Sequence, residues 1–212
     1  MIRGMSTPGP RFPRGSIGLL LLGVALLLGL DYAVVWWLDS GRPEHWPAYR
    51  LLLDNTAQTL GDGFVVGSAG ALLWLLGYGF SRPRWEHGGR FVIGAVLLAG
   101  FWSQALKLLI GRPRPRLFIL EHHVWPSGPL LLRSWDSFPS GHSMTVFAVA
   151  PVLMAVFPRA ARAILVAAFL IACGRVYGGD HFPTDILCGG WLGWRLGQYV
   201  VARWRTEVGD AV

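Results

Sequence analysis

The sequence is short of charge, of lysine and of cysteine. Only 15% of its 212 residues are Asp, Glu, Lys or Arg, against about 25% in an ordinary soluble domain. Lys107 is the only lysine among 19 basic residues. The two cysteines, Cys173 and Cys188, are too few for a disulfide framework, and no Cys/His spacing matches a zinc site. Both fall inside apolar stretches and read as small buried hydrophobes. Internal repeats, low-complexity tracts and linkers are absent from the sequence. What fills the chain is apolar: 53% of residues are hydrophobic, and they come in blocks. Ile17 to Leu38 carries one charge, Asp31, and Gly63 to Phe80 carries none. Stretches of about 20 residues match the roughly 30 Å hydrocarbon core of a bilayer. A soluble globule and a disordered chain are both excluded, and the length suits one domain, 1–212.

The net charge is +7, but the arginines flank or end apolar runs instead of clustering on a face with aromatics between them. That distribution argues against a nucleic-acid partner and suits topology determinants and phosphate ligands. The first apolar run is too long for a secretory signal, and no small-x-small site follows Leu30, so it reads as a retained helix. The blocks predict six spans, at about 17–38, 62–80, 91–110, 142–158, 161–177 and 184–202. The segment 43–60 reads as a loop with an interfacial helix. Trp36, Trp37, Trp46, Trp85 and Trp204 lie near span ends, as interfacial aromatics do. Ten arginines fall on the side of the N-terminus and seven on the other, which predicts a cytoplasmic N-terminus.

Ionisable residues at span edges are costly, and so are functional candidates. Lys107 stands near the end of the third span, followed by Gly-Arg-Pro-Arg-Pro-Arg at 111–116. Pro139-Ser140-Gly141-His142 leads into the fourth, Arg175 closes the fifth, and His181 and Asp185 precede the sixth. Span parity puts all four places on one membrane face, opposite the N-terminus. Each has a plain alternative. Lys107 can snorkel, Arg112 and Arg116 can meet headgroups, Ser140 can be an N-cap, and His181 with Asp185 can be a polar pair on a helix end. Their agreement on one face is what argues for a site.

Together they have the makings of an oxyanion site. Lys107, Arg114 and Arg175 offer three cations for a tetrahedral dianion, with the planar guanidinium fork suited to its oxygens. Ser140 and Gly141 open a helix N-terminus, whose free N–H groups favour an anion. His142 and His181 can supply a nucleophile and a proton donor, and Asp185 can orient one ring through Nδ1–H. No carboxylate cluster suited to Mg²⁺ or Ca²⁺ accompanies them, so the chemistry is expected to need neither metal nor cofactor.

These motifs resemble those of the type 2 phosphatidic acid phosphatase (PAP2) superfamily, in its integral-membrane lipid phosphatase branch. The family pattern K-x6-R-P reads Lys107 to Arg114-Pro115, and P-S-G-H reads Pro139 to His142. S-R-x5-H-x3-D reads Gly174-Arg175, His181 and Asp185, with Gly174 the one departure. The resemblance implies an all-α, six-transmembrane-helix bundle of the PAP2/haloperoxidase-like type, with its site at the outer membrane boundary. It implies that His181 attacks phosphorus to form a phosphohistidine, that Asp185 holds its tautomer, and that His142 protonates the leaving oxygen and then activates water. Lys107, Arg114, Arg175, Ser140 and Gly141 would hold the phosphate oxygens.

The implied partners are a phosphorylated lipid and the bilayer of a bacterial inner membrane. Undecaprenyl diphosphate, phosphatidylglycerol phosphate, phosphatidate and lipid A phosphates are all handled by such bacterial enzymes. The arginine-rich composition suggests a GC-rich genome and makes an isoprenoid diphosphate the first expectation. A phosphotransferase using the same histidine is the nearest alternative, and an anion transporter a remote one. Asp31 stays outside the predicted site, as a residue that pairs with a buried Arg or hydroxyl or is hydrated near the boundary. Arg195 is expected to snorkel, His122 and His123 to be solvated loop residues, and Asp180 to serve the turn that Tyr177, Gly178 and Gly179 form before His181.

Overall fold

A computed structural model describes residues 14–40, 47–122 and 133–208. Among these residues every regular element is helical. The helices are α1 (Arg14–Ser40), α2 (Pro47–Gly61), α3 (Gly63–Gly79), α4 (Pro83–Ile110), α5 (Pro115–Glu121), α6 (Gly141–Val156), α7 (Ala161–Tyr177) and α8 (Pro183–Val208). Six of them fall on the six apolar blocks. α2 falls within the segment expected to hold an interfacial helix, and the short α5 occupies what had read as loop. Trp46 and His123 lie outside the described residues.

The boundaries have local causes. Pro83, Pro115 and Pro183 open α4, α5 and α8, where a missing N–H costs nothing. Asp62 caps α3 by accepting from the amides of Phe64 and Val65 at 2.8 and 3.2 Å. Gly111 ends α4 with φ 56°, a left-handed conformation that glycine adopts without strain.

α6 is the central helix, packed on α8, α4 and α7, while α3 lies along α4 and α2 against α7. The core joins Val92, Ala95 and Ala99 of α4 to Met144, Ala148, Val152 and Val156 of α6 and to Val200 and Trp204 of α8. Trp204 departs from its expected interfacial position. It is 1% exposed and stacks on Phe91 with ring centroids 5.5 Å apart, because the helical register of α8 turns it inward. Trp36 and Trp37, by contrast, are exposed. So are Leu75, Phe101, Leu170 and Trp191, giving the bundle an apolar exterior that water would not favour.

By length and hydropathy, the stretches Pro83–Glu121 and Pro158–Tyr177 can each cross a membrane. Asp54–Gly61 and Gly63–Gly79 form a further apolar pair, bent by 51°.

Glycines set the α6–α8 distance. A Cβ on Gly189, Gly193 or Gly197 would lie 2.6 Å from the Ser140 carbonyl oxygen, 2.2 Å from that of Met144 and 2.3 Å from that of Ala148, respectively. This four-residue spacing puts a bare stripe of α8 against the α6 backbone. Gly193→Ala is therefore expected to cost about 1–3 kcal/mol of stability. Gly94→Ala, with nothing within 4 Å of the added methyl, should hold or raise stability through helix propensity. Thermal unfolding of both variants in detergent checks the contrast.

Candidate active site

The ends of α4, α6, α7 and α8 are tied together through backbone before any side chain is considered. The Ser137 amide donates to the Arg112 carbonyl at 3.0 Å, and the Arg114 amide to the Ser134 carbonyl at 2.8 Å. The Ser140 amide donates to the Asp185 carbonyl at 3.1 Å, joining the start of α6 to that of α8. After α7 the chain turns through Gly179 at φ 80°. The Asp180 and His181 amides both donate back to the Arg175 carbonyl, at 3.1 and 3.3 Å. His181 is thereby set in a tight turn, as the glycines before it suggest.

His181 is 2% exposed, with Nδ1 2.8 Å from the Ser137 carbonyl oxygen. A carbonyl only accepts, so Nδ1 carries the proton and Nε2 keeps its lone pair. This differs from the expected hydrogen bond to Asp185, whose Oδ2 is 3.7 Å from Nδ1. Asp185 is fully buried and already satisfied. Oδ1 accepts from Arg112 at 2.6 Å, and Oδ2 accepts from Ser137 Oγ at 2.6 Å and the Phe182 amide at 2.8 Å. Asp185 thus stands behind the ring as a fixed charge. Burial pushes the His181 pKa below its ordinary value, an effect that the charge of Asp185 opposes and those of Arg114 and Lys107 reinforce.

A cavity of about 440 Å³, in the range of small-ligand sites, is lined by Arg114, Asp136, His142, Arg175 and Asp180 among others. His142 Nε2 is buried without a hydrogen-bond partner. Its ring lies under α2, where a Cβ on Gly61 would come within 2.9 Å of Cδ2. Gly141 lies beside Lys107, since its Cβ would be 4.0 Å from Nζ and 3.0 Å from Ser103 Oγ. Ser140 is fully buried, and its Oγ accepts from the Ser143 amide at 3.4 Å and the Ser143 hydroxyl at 3.1 Å. Ser140 acts as the α6 N-cap, one of the roles its position allowed.

Each cation already has a carboxylate. Asp136 takes a forked pair of bonds from Arg114, at 2.8 and 3.2 Å, and one from Lys107 at 3.4 Å. Burial raises the Asp136 pKa, but Arg114 and then Lys107 outweigh it and hold the carboxyl below its usual range. Asp180 is likewise raised by burial, and lowered overall by Arg175, Arg114 and Arg116. Arg175, 3% exposed, bridges Asp54 of α2 at 2.7 Å and Asp180 at 2.6 Å.

The structure therefore gathers Lys107, Arg114, Gly141, His142, Arg175, His181 and Asp185 around one end of the bundle, with Ser140 inside the α6 start. Sequence reasoning missed Asp54, Asp136 and Ser137. Asp136 and Ser137 stand just before Pro139-Ser140-Gly141-His142, and that adjacency was the available signal. Asp180 is an ion-pair partner of three arginines, more than a turn residue. Arg112 does not reach towards headgroups: it is 2% exposed, because Asp31 and Asp185 draw its guanidinium inward. Asp31 pairs with this buried Arg and with the hydroxyl of Thr184, one of the two alternatives left open.

The chain is similar to known proteins in sequence and in fold. A sequence profile described as "PAP2 superfamily" matches residues 88–208. The lipid A 1-phosphatase of Rhizobium johnstonii is 34% identical over 178 residues, covering 84% of this chain and 62% of that protein. The undecaprenyl-diphosphatase of Sulfolobus acidocaldarius is 29% identical over 52% of this chain and 48% of its own length. The chain thus spans less than two thirds of these relatives. Among solved structures, a transmembrane PAP2-type phosphatidylglycerolphosphate phosphatase from Bacillus subtilis superposes with TM-score 0.67 at 24% identity, covering 92% of this chain and 96% of that one. LpxE of Aquifex aeolicus superposes with TM-score 0.57 at 26% identity, covering 84% and 95%. With a profile match over more than half its length and a fold shared along most of it, the chain belongs to the PAP2 superfamily.

Proposed function

We propose that this protein is a membrane-embedded, metal-independent lipid phosphatase working through a phosphohistidine on His181. The observation that carries the reading is the convergence of His142 and His181 with Lys107, Arg114 and Arg175 at one end of the bundle. In the bilayer, α1, α3, α4, α6, α7 and α8 make the six spans, the N-terminus is cytoplasmic, and the site opens on the periplasmic face.

In the first step the Nε2 lone pair of His181 attacks phosphorus as the bond to the leaving oxygen breaks, and His142 gives that oxygen a proton. The phosphorylated ring keeps its Nδ1 proton against the Ser137 carbonyl and so carries a positive charge, which Asp185 faces. A water then attacks phosphorus, His142 takes its proton, and the N–P bond breaks to restore His181 and release inorganic phosphate. Lys107, Arg114, Arg175 and the Gly141 amide hold the phosphoryl oxygens, where transition-state charge collects.

The named relatives favour lipid A 1-phosphate as the substrate to test first, with undecaprenyl diphosphate second. The assay is phosphate release by the detergent-purified protein in EDTA, over these two lipids, phosphatidate and phosphatidylglycerol phosphate. Release that survives chelation and needs no acceptor lipid supports hydrolysis. Release that requires an added lipid acceptor would make the protein a phosphotransferase, and none under any condition would overturn the reading.

The acid side of the pH profile follows from His181. The nucleophile must be neutral, and its pKa lies below the ordinary 6.5. In the free protein kcat/KM should therefore stay high as pH falls through 6.5 and be lost only below it. A limb at or above 6.5 in steady-state assays would contradict the proposed environment.

A further inference from the structure

We propose that Asp31, on the first helix, is a positioning residue for the reaction: acting through Arg112, it sets the charge that Asp185 presents to His181. Asp31 lies outside the part of the chain that the superfamily profile matches. Yet it is fully buried, as is Asp185, and Arg112 between them is 2% exposed. Arg112 does not fork onto a single carboxylate. Its Nη2 donates to Asp31 at 2.8 Å and its Nη1 to Asp185 at 2.6 Å. The guanidinium also stacks on Phe182, the residue after His181, at 4.2 Å. Asp31 is fixed in turn by the Thr184 amide at 2.9 Å and by the Thr184 hydroxyl. The cluster thus ties α1 to the first turn of α8, which also carries Asp185.

The charge balance gives the arrangement its meaning. Two carboxylates share one guanidinium, so the buried cluster holds one net negative charge. A lone Asp185–Arg112 pair would be neutral and would present little field to the histidine. Excess buried charge is costly unless something balances it. The cation that balances this one forms during the proposed reaction, when the N–P bond makes the His181 ring positive. Asp31 is in effect the residue that leaves Asp185 only half neutralised, at low local dielectric where such a difference is large. The inference rests on the proposed phosphohistidine reading.

The test is the acid limb of kcat/KM, measured with one lipid phosphate on four full-length proteins: wild type, Asp31→Asn, Arg112→Gln and the double variant. The charged and titratable groups facing His181 are Asp185, Lys107, Arg114, Asp180 and His142, with Arg112 behind Asp185. All except Arg112 are the same in every variant, as is the substrate's own ionisation, so differences between limbs report the cluster. Asp31→Asn makes the cluster neutral and should move the limb about one pH unit lower and reduce kcat about tenfold. Arg112→Gln leaves two negative charges and should move the limb higher. The double variant restores one net negative charge and should return the limb to the wild-type position, although it has lost both original side chains.

A merely structural role predicts instead that all limbs coincide and only the yield of folded protein falls, which would overturn the inference. Should Asp31→Asn fail to accumulate, Arg112→Gln and the double variant carry the same comparison, and an unmoved limb in Arg112→Gln overturns it equally. A wild-type protein that releases no phosphate from any lipid would overturn the proposed function, and this inference with it. An active wild type with coincident limbs overturns this inference alone.

Discussion

Replacing His181 by alanine or asparagine is expected to lower phosphate release from a lipid phosphate on the order of 10⁴-fold or more. The expectation comes from what the ring does that its neighbours cannot. The Ser137 carbonyl fixes the proton on Nδ1, so the opposite ring nitrogen keeps the lone pair that the proposed attack needs. Asparagine is the sharper variant because its amide N–H can still donate to the Ser137 carbonyl while offering no nucleophile. The cations belong to other elements, and Asp136 and Asp180 hold them in place. Inorganic phosphate should therefore still bind both variants with affinity within a few-fold of wild type. Loss of turnover with retained anion binding is the expected pair of results, measured by phosphate release and by calorimetry or competition. Near-normal turnover in His181→Asn would assign the chemistry to another group.

The second large effect is expected at Arg175. Its guanidinium bonds both Asp54 on α2 and Asp180 on the turn that presents His181. Gly178 leaves the room for this, since a Cβ there would lie 2.4 Å from Asp54 Oδ1. Arg175→Ala removes the cation and leaves two carboxylates facing each other, at an expected cost of about 3–5 kcal/mol. Arg175→Lys keeps the charge but not the fork, because an ammonium acts as a point charge and cannot set two carboxylates in a planar geometry. It should fold more stably than the alanine variant and still lose about 10²-fold in kcat/KM. Unfolding in detergent and steady-state kinetics separate the two consequences. Asp54→Asn combined with Arg175→Ala should be less destabilised than Arg175→Ala alone, as coupled charges require.

Much of the arrangement was legible in the sequence, for identifiable reasons. Lys107, Arg114, His142, Arg175, His181 and Asp185 stand out because ionisable residues at the ends of apolar blocks are costly, so each one draws notice singly. The blocks themselves place the six long helices to within a few residues, except that α4 starts eight residues before its apolar block and α8 runs six beyond its own. What was hidden is pairing between distant parts of the chain. Asp31 and Arg112 are 81 residues apart, and Arg175 and Asp54 are 121 apart. No local period links such positions, and only the packed bundle brings them together. Trp204 misled for a related reason: its place near a helix end says nothing about which face of α8 it occupies. The glycines at 189, 193 and 197 form a visible four-residue stripe, but that pattern does not name the helix it meets.

The carboxylates that sit on the cations have a bearing on salt and on turnover. A bare cluster of one lysine and several arginines would attract any anion from solution, and its affinity would fall steeply as ionic strength rose. Here Asp136 and Asp180 are built-in counter-ions, so under the proposed reaction an arriving phosphoryl group would exchange with a partner already in place. The net gain is the difference between two ion pairs, modest for free phosphate and larger for a lipid whose chains add their own binding. As product leaves in that reaction, the same carboxylates would pair again with Arg114 and Arg175. Under the proposed reaction, inorganic phosphate should thus be a weak inhibitor, and the site clears itself for the next lipid.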